Sequence, residues 1–357
     1  MTYKVLSLQE KNEWNNFLKK LPNEQQDIYY TPEYYSLYEN YGDGKARCFV
    51  FEKKGEIALY PFLINSINKL GYSLDKEYYD IQGAYGYNGI VSTCNKREFI
   101  NSFYTDFNNY CFQHNIVAEF TRFHPLINNS LFSNNELDII FDRKTIYVDL
   151  SISENEIFKN FQTSTRKQIK RCINRHNIEI IQKISDTKYL NSFINIYYES
   201  MHRVNSIKHL YFNYKYFKEL LLSKNVYQFV AIYKDSPIAF ITALSGENYL
   251  HGHLGGSLTE YLNLSTYSLL YWEMIKKAKF LNKKHLHIGG GLSTEPNDNL
   301  LIFKKHFSDK LSDFYIGKKI HNQEIYNEVI KQWSSKHTDS YKKNKNKLLG
   351  YREIING

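Results

Sequence analysis

Between residues 265 and 281 the apolar positions Leu269, Leu270, Trp272, Met274, Ile275, Ala278 and Leu281 recur at helical spacing, with Lys276, Lys277 and Lys279 on the other side. That pattern predicts an amphipathic helix, with Ser265 as its expected N-cap. A short strand follows from Lys284 to Ile288 and runs straight into Gly289, Gly290 and Gly291. A strand ending in three glycines lets another backbone or a ligand come very close. A short basic helix is then expected from Asp298 to Phe307, carrying Phe303, Lys304, Lys305 and Phe307. Preceded by the strand at His251, this order predicts an α/β layer with a site at the end of its sheet.

The rest of the chain alternates in the same way. Ser7 and Glu10 form a capping box ahead of Trp14, Phe17 and Leu18, and Thr31-Pro32-Glu33 announces a second helix. Strands 47–52 and 57–63 are joined by a turn at Lys53-Lys54-Gly55, and helix 98–114 leads to strand 116–121. An Asn/Ser-rich loop near 128–135 closes the first half, which is read as residues 1–145, and a strand at 145–150 enters the second. The second half, 146–320, opens with the capping box Ser153–Glu156 and a basic helix, 163–175. Strand 178–184 and helix 186–202 follow, then helix 214–222 and a meander at 227–233, 236–244 and 248–254. A last strand at 313–318 and a helix at 323–333 precede a lysine-rich end, and residues 321–357 read as a helix with a frayed basic tail.

Charge and cysteines narrow the class. The net charge of +9 is concentrated in two places. One is the acid-free run Arg166, Lys167, Lys170, Arg171 and Arg175; the other is the chain end from Lys331 on. Two local features of this kind do not describe a polyanion-coating protein. The basic helix is equally consistent with a solvated face and with a phosphate-binding surface. Cys48, Cys94, Cys111 and Cys172 are scattered, without metal-ligand spacing, so reduced thiols and no structural metal are expected. The N-terminal residues lack the apolar core of a signal peptide, and no run approaches ~18 apolar residues, so a cytoplasmic protein without a transmembrane span is expected. No Ser-His-Asp or Cys-His arrangement with a recognisable elbow is present, so a covalent enzyme intermediate is not expected.

The runs His251-x-His253-Leu-Gly-Gly-Ser257, Trp272-Glu-x-Ile-x-x-Ala-Lys279, His285-Leu-His-Ile-Gly-Gly-Gly291 and Phe303-Lys-Lys-His-Phe-Ser308 resemble the C-terminal half of the Fem family. Its members are peptidoglycan interpeptide-bridge aminoacyltransferases related to the GNAT acyltransferases. The resemblance implies an α/β (α+β) fold of two tandem GNAT-like domains, each a mixed, mostly antiparallel sheet flanked by helices. It implies acyl transfer from an activated carrier to an amine, with Phe303 and Lys304 at the transfer centre and Lys304 stabilising the tetrahedral intermediate. The segment Tyr78 to Val91 matches the family's aspartate followed by Tyr-Gly-Tyr. By that likeness Asp80 would position or deprotonate the incoming ammonium, and Tyr78, Tyr85 and Tyr87 would line an acceptor cleft. Arg203, with Tyr211 after it, falls where the family places an arginine on acceptor phosphates. Arg122 belongs to an Arg-x-His-Pro run that also fits, and Gly289, Gly290 and Gly291 would form the backbone wall.

The co-substrate implied is an aminoacyl-tRNA or acyl-CoA, with no tightly bound cofactor. The implied partners are that carrier, a phosphate-bearing acceptor such as a nucleotide-activated sugar or peptide, and a peripheral membrane contact. CoA-dependent GNAT enzymes show Q/R-x-x-G-x-G/A before a long helix, so that backbone amides hold the pyrophosphate. The corresponding stretch here, Gly255 to Ser265, lacks it, which favours the tRNA donor. The chain also lacks the long helical hairpin with which some bridge-forming members engage tRNA. Cell-envelope precursor or surface-polysaccharide synthesis is the expected setting. The alternatives are a CoA-dependent N-acyltransferase acting on a nucleotide-sugar or small amine, and a non-catalytic RNA- or membrane-binding protein using residues 163–177 and the tail.

Overall fold

The computed structural model describes residues 3–206, 210–295 and 297–354. In chain order the first elements are β1 (Tyr3–Leu6), α1 (Lys11–Leu18), α2 (Pro32–Tyr41), β2 (Lys45–Lys53), β3 (Glu56–Ser66), β4 (Tyr79–Gln82) and β5 (Val91–Ser92). They continue as α3 (Arg97–Gln113), β6 (Ile116–Arg122), β7 (Asp138–Asp149), α4 (Glu154–Asn160), α5 (Thr163–Asn174), β8 (Glu179–Ile184) and α6 (Leu190–Arg203). Next are α7 (Tyr214–Leu222), β9 (Val226–Tyr233), β10 (Ser236–Ser245), β11 (Tyr249–Ser257), α8 (Thr266–Phe280) and β12 (His285–Gly290). The last are α9 (Asn299–Lys305), β13 (Leu311–Ile320), α10 (Gln323–Lys336) and α11 (Thr338–Asn344). The expected caps at Ser7, Thr31 and Ser153 all accept backbone N–H bonds. Ser265 does not: it stands in the left-handed region at φ 58° and makes no side-chain cap bond to α8.

The chain divides into two compact units, and the division differs from a cut at 145 and 320. The first unit is Met1–Gln25, Tyr29–Asp142 and Phe314–Gly357; the second is Gln26–Ile28 and Arg143–Asp313. Within the first unit the strand order is β1-β2-β3-β4-β6-β13, with β5 paired on β3. β4 and β6 are parallel and the other neighbours antiparallel. One face of this sheet packs under α3 around Phe49, Phe51, Tyr60, Phe62, Phe103 and Phe107.

A second cluster in this unit overturns the expected frayed tail. Ile325, Val329 and Trp333 of α10 pack with Ile67, Tyr72, Tyr78, Val117 and Tyr351. Tyr351 is fully buried and its carbonyl accepts the Tyr72 hydroxyl at 2.7 Å. Apolar residues spaced among the lysines (Leu348, Leu349, Tyr351) supply the burial that a purely basic tail would lack. Residues 355–357 of that tail lie outside the described residues.

Within the second unit the order is β7-β12-β11-β10-β9-β8, all antiparallel except the β11–β12 pair. Its core joins Ile169 and Cys172 of α5, Leu269, Leu270, Met274 and Ile275 of α8, and Leu286 and Ile288 of β12. The four cations of α5 (Arg166, Lys167, Lys170 and Arg171) leave Thr165, Ile169 and Cys172 as its buried stripe, so packing and charge divide the helix cleanly.

Candidate active site

β11 and β12 pair in parallel over only three positions, Tyr249–His285, Leu250–Leu286 and His251–His287. Beyond these the two strands no longer pair with each other. β12 bulges between His287 and Gly289 and continues along β7, while β11 shifts register against β10 between Gly252 and Gly255. Thr242 fills the β11 irregularity, its hydroxyl bonding both the N–H and the carbonyl of Leu254 at 3.1 and 3.0 Å. The pair therefore opens at its carboxyl end, where α/β sheets place ligands. Gly252, His253 and Leu254 form the β11 side of the opening. Burial pushes His253 down to about 3, so its ring is neutral, and its Nε2 lies 3.3 Å from the Tyr216 hydroxyl.

The β12 side ends in the three glycines. Gly289 stands at φ +75°, a conformation that L side chains rarely adopt, and a Cβ there would lie 3.2 Å from Lys304 Nζ. A Cβ on Gly291 would meet the Asp298 carboxylate at 2.4 Å. The glycines are required because charged side chains close over the backbone. Lys304 Nζ donates to the Gly290 carbonyl at 2.7 Å, and Arg143 Nη1 donates to the Gly291 carbonyl at 2.9 Å.

Lys304 is 9% exposed, and burial together with Arg143 pulls its pKa down to about 8 against the opposing charge of Asp298. An ammonium offers three donors and the Gly290 bond uses one. The amine is thus a buried cation, still largely protonated at neutral pH, at the open end of the strand pair. Phe303 turns away from it, its ring 5.9 Å from Tyr271 and 5.3 Å from Phe307. It anchors α9 to α8 and so aims Lys304.

Asp298 holds this corner together. One carboxylate oxygen caps α9 through the N–H groups of Leu300 and Leu301, and the other accepts from Leu292 N and Ser293 N at 2.9 Å each. Asp298→Ala is expected to cost about 1–2 kcal/mol of cap energy. It should also speed proteolytic cleavage between 291 and 298; an unchanged cleavage rate would show that the loop is held by something else.

The remaining expected site residues fall elsewhere. Arg203 is exposed and donates to Ser257 O at 3.0 Å, Thr259 Oγ1 at 2.9 Å and Ser200 Oγ at 3.2 Å, so it clamps the end of β11 to α6. Tyr211 lies beside it on His202, its hydroxyl 3.4 Å from Nδ1. In the first unit, Tyr87 packs edge-on against Tyr29 at 5.2 Å and His124 at 5.4 Å. The Arg122 guanidinium lies 6.0 Å from the Tyr85 ring. Those three stay partly exposed around the glycine-tyrosine loop.

Asp80 and Tyr78 are corrected by the structure. Asp80 is fully buried; its Oδ1 lies 2.7 Å from Arg352 Nη2, and its Oδ2 accepts the Tyr351 hydroxyl at 2.7 Å. Tyr78 is 4% exposed, inside the cluster formed with α10. Neither faces a cleft, because the chain end that was expected to fray packs over both.

Arg143 and Asp298 gave no family signature, although an aspartate three residues before Leu301 is a legible helix cap. The buried pair of Asp27 with His251 Nε2, 3.0 Å apart, was also missed; it ties residues 26–28 to β11. The helix α5 bears on the turn ahead of α8: Arg171 Nη2 reaches Asn263 O at 3.3 Å, and Gln168 accepts the Ser268 hydroxyl at 2.8 Å.

Residues 160–295 match the acetyltransferase (GNAT) domain model, a span running from the end of α4 through the glycine corner and stopping before Lys304. No curated protein matches the chain in sequence. Among solved structures it is similar to FemX, at 13% identity over 92% of this chain and 99% of that one, with a TM-score of 0.67. L-PGS from Bacillus licheniformis is similar at 11% identity over 89% and 94%, TM-score 0.56. A tandem GNAT protein from the clavulanic acid biosynthesis pathway follows at 7% identity over 88% and 98%, TM-score 0.51. Among the described residues no helix is long and apolar enough to cross a membrane. Residues 160–295 therefore form a domain of the acetyltransferase (GNAT) type, and the chain as a whole shares a tandem GNAT-like fold with FemX and the clavulanic acid pathway protein.

Proposed function

We propose that this protein moves an acyl or aminoacyl group from an activated carrier to an amine by direct attack, without an enzyme-bound intermediate. The observation that carries the reading is the Lys304 ammonium, buried on the Gly290 carbonyl at the open end of the β11–β12 pair. An amine attacking a carbonyl puts negative charge on the carbonyl oxygen, and a preorganised cation in a desolvated site lowers that barrier. The unspent N–H donors of Lys304 serve this purpose. The glycine corner lets the substrate approach the β12 backbone, and Arg143 keeps that corner in place.

An aminoacyl-tRNA ranks above acyl-CoA as donor. The stretch ahead of α8 is a 3-10 turn, Thr259–Leu264, tied to α5, and it has no glycine-rich loop to cradle a pyrophosphate. Arg203 and Tyr211 are the residues proposed to engage acceptor phosphates, and within the first unit Tyr85, Tyr87 and Arg122 are proposed as substrate-binding residues in their own right. The structural likeness to FemX and L-PGS supports a role in cell-envelope precursor or surface-polysaccharide synthesis.

The test is to incubate the purified protein with labelled aminoacyl-tRNA and acyl-CoA pools and a panel of candidate amines, and to identify which carrier is consumed. Consumption of CoA thioesters alone would overturn the donor assignment; consumption of neither would overturn the enzyme. A pH profile examines the lysine. Its folded pKa of about 8 lies below the ordinary value, so the cation is present at pH 7 and lost as pH rises through 8. Once the acceptor amine's own titration is removed, kcat should fall on that alkaline limb. A kcat that stays level from pH 7 to 9.5 would exclude a charged Lys304 from the transition state.

A further inference from the structure

At the end of the first unit's sheet where β2 and β4 begin and β3 finishes, a pocket of about 890 Å³ opens beside the C-terminal end of α3. β4 pairs Tyr79 with Ser66 and Gln82 with Leu63. Tyr79 lines the pocket, whereas the glycine-tyrosine loop leaves from Gln82, so the two lie at opposite ends of β4.

The walls are aromatic: Tyr3, Tyr79 and the pair Tyr110–His114, whose ring centroids are 4.3 Å apart. The acids in the lining are already engaged. Glu39 accepts from Lys45 Nζ at 3.0 Å and Ala46 N at 2.7 Å, and Glu77 accepts the Ser66 hydroxyl.

What remains unspent are donors. Arg47 is half-buried; its one side-chain hydrogen bond among the described residues goes to the Ala46 carbonyl at 2.7 Å, and no carboxylate lies within salt-bridge distance. Lys69 has no acid partner among the described residues either. The Asn65 amide nitrogen is buried without an acceptor. Its carboxamide sits on Gly44, at φ +132°, where a Cβ would come within 2.5 Å of it. An orphaned buried amide is unfavourable, and Arg47, which Glu10 meets only electrostatically and beyond salt-bridge distance, still has donors to spare. An anion and a hydrogen-bond acceptor would satisfy both, and a guanidinium suits phosphate bidentately.

We propose that this pocket binds a planar ring carrying a phosphate, of the nucleoside monophosphate class, at a site separate from the acyl-transfer centre. Arg47 and Lys69 take the phosphate, Asn65 Nδ2 donates to an acceptor on the ring, and the tyrosines provide the stacking surface.

Isothermal titration of the full-length protein with AMP, UMP, adenosine and inorganic phosphate tests this. At least one mononucleotide should bind ten times more tightly than both inorganic phosphate and adenosine. Arg47→Ala and Lys69→Ala should each weaken that mononucleotide at least fivefold. Lys69 is exposed, so its variant remains informative if Arg47→Ala does not fold. Absence of mononucleotide binding at millimolar concentration would overturn the proposal. So would phosphate binding as tightly as the nucleotide, or binding indifferent to both substitutions. Binding is read directly, so a failure here leaves the acyl-transfer reading untouched.

Discussion

Replacing Lys304 by methionine is expected to lower kcat for acyl transfer by a factor of about 10²–10³, the range found when one oxyanion donor is removed from a preorganised site. Methionine keeps the length of the aliphatic stem, so α9 can still dock through Phe303 and Phe307 against Tyr271. The native ammonium is held in a desolvated site, its pKa pulled down to about 8. Removing it relieves that cost, so thermal stability should hold or rise slightly while activity collapses. This split between stability and rate separates a transition-state role from a packing role. A folded variant that keeps half the wild-type kcat would end the assignment. Arg143→Ala should act more weakly and through position: it frees the Gly291 carbonyl and loosens the corner, lowering kcat while leaving the pH limb near 8 in place.

The second large effect lies in the first unit. Arg352→Ala is expected to destabilise it by about 3–5 kcal/mol, because Asp80 is fully buried and would lose its counter-charge, keeping only the Tyr351 hydroxyl. Denaturant unfolding followed by tryptophan fluorescence in a Trp272→Phe background reads this, since the remaining Trp14 and Trp333 are fully buried in that unit. The double variant Asp80→Asn/Arg352→Met should recover most of the loss, because no unpaired charge is then left inside. Asp80→Asn alone should change stability and leave kcat per folded molecule near wild type. If it instead removed activity with stability intact, Asp80 would return to the chemistry, and the buried ion pair would not be its main role.

Asp80 shows how far a motif can be read from sequence. The likeness between Tyr78–Val91 and the family pattern was visible in the residues, but direction was not. Whether a carboxylate on β4 faces a substrate or the interior depends on what covers that strand. The cover comes from Tyr351 and Arg352, some 270 positions later in the chain. Local composition marked that end as basic and frayed, because lysines outnumber the few apolar residues that bury it. Lys304 went the other way. Its neighbouring phenylalanines and the preceding glycines are close in sequence, so the helix, the corner and the amine could be anticipated together.

What the sequence determined by itself was therefore the local material. It set the amphipathic α8, the caps at Ser7, Thr31 and Ser153, the glycine corner, and the cationic surface of α5 over a thin apolar stripe. These follow from periodicity, side-chain capping and φ preference, all of which act within a few residues. Only the tertiary structure decided that β11 and β12 part after three residue pairs, that Arg143 closes over Gly291, that residues 26–28 join the second unit, and that the chain end completes the first. Each is a pairing between segments far apart in sequence. Such pairings are set by which buried charges and apolar faces find partners, a property of the packed chain that no single stretch of it carries.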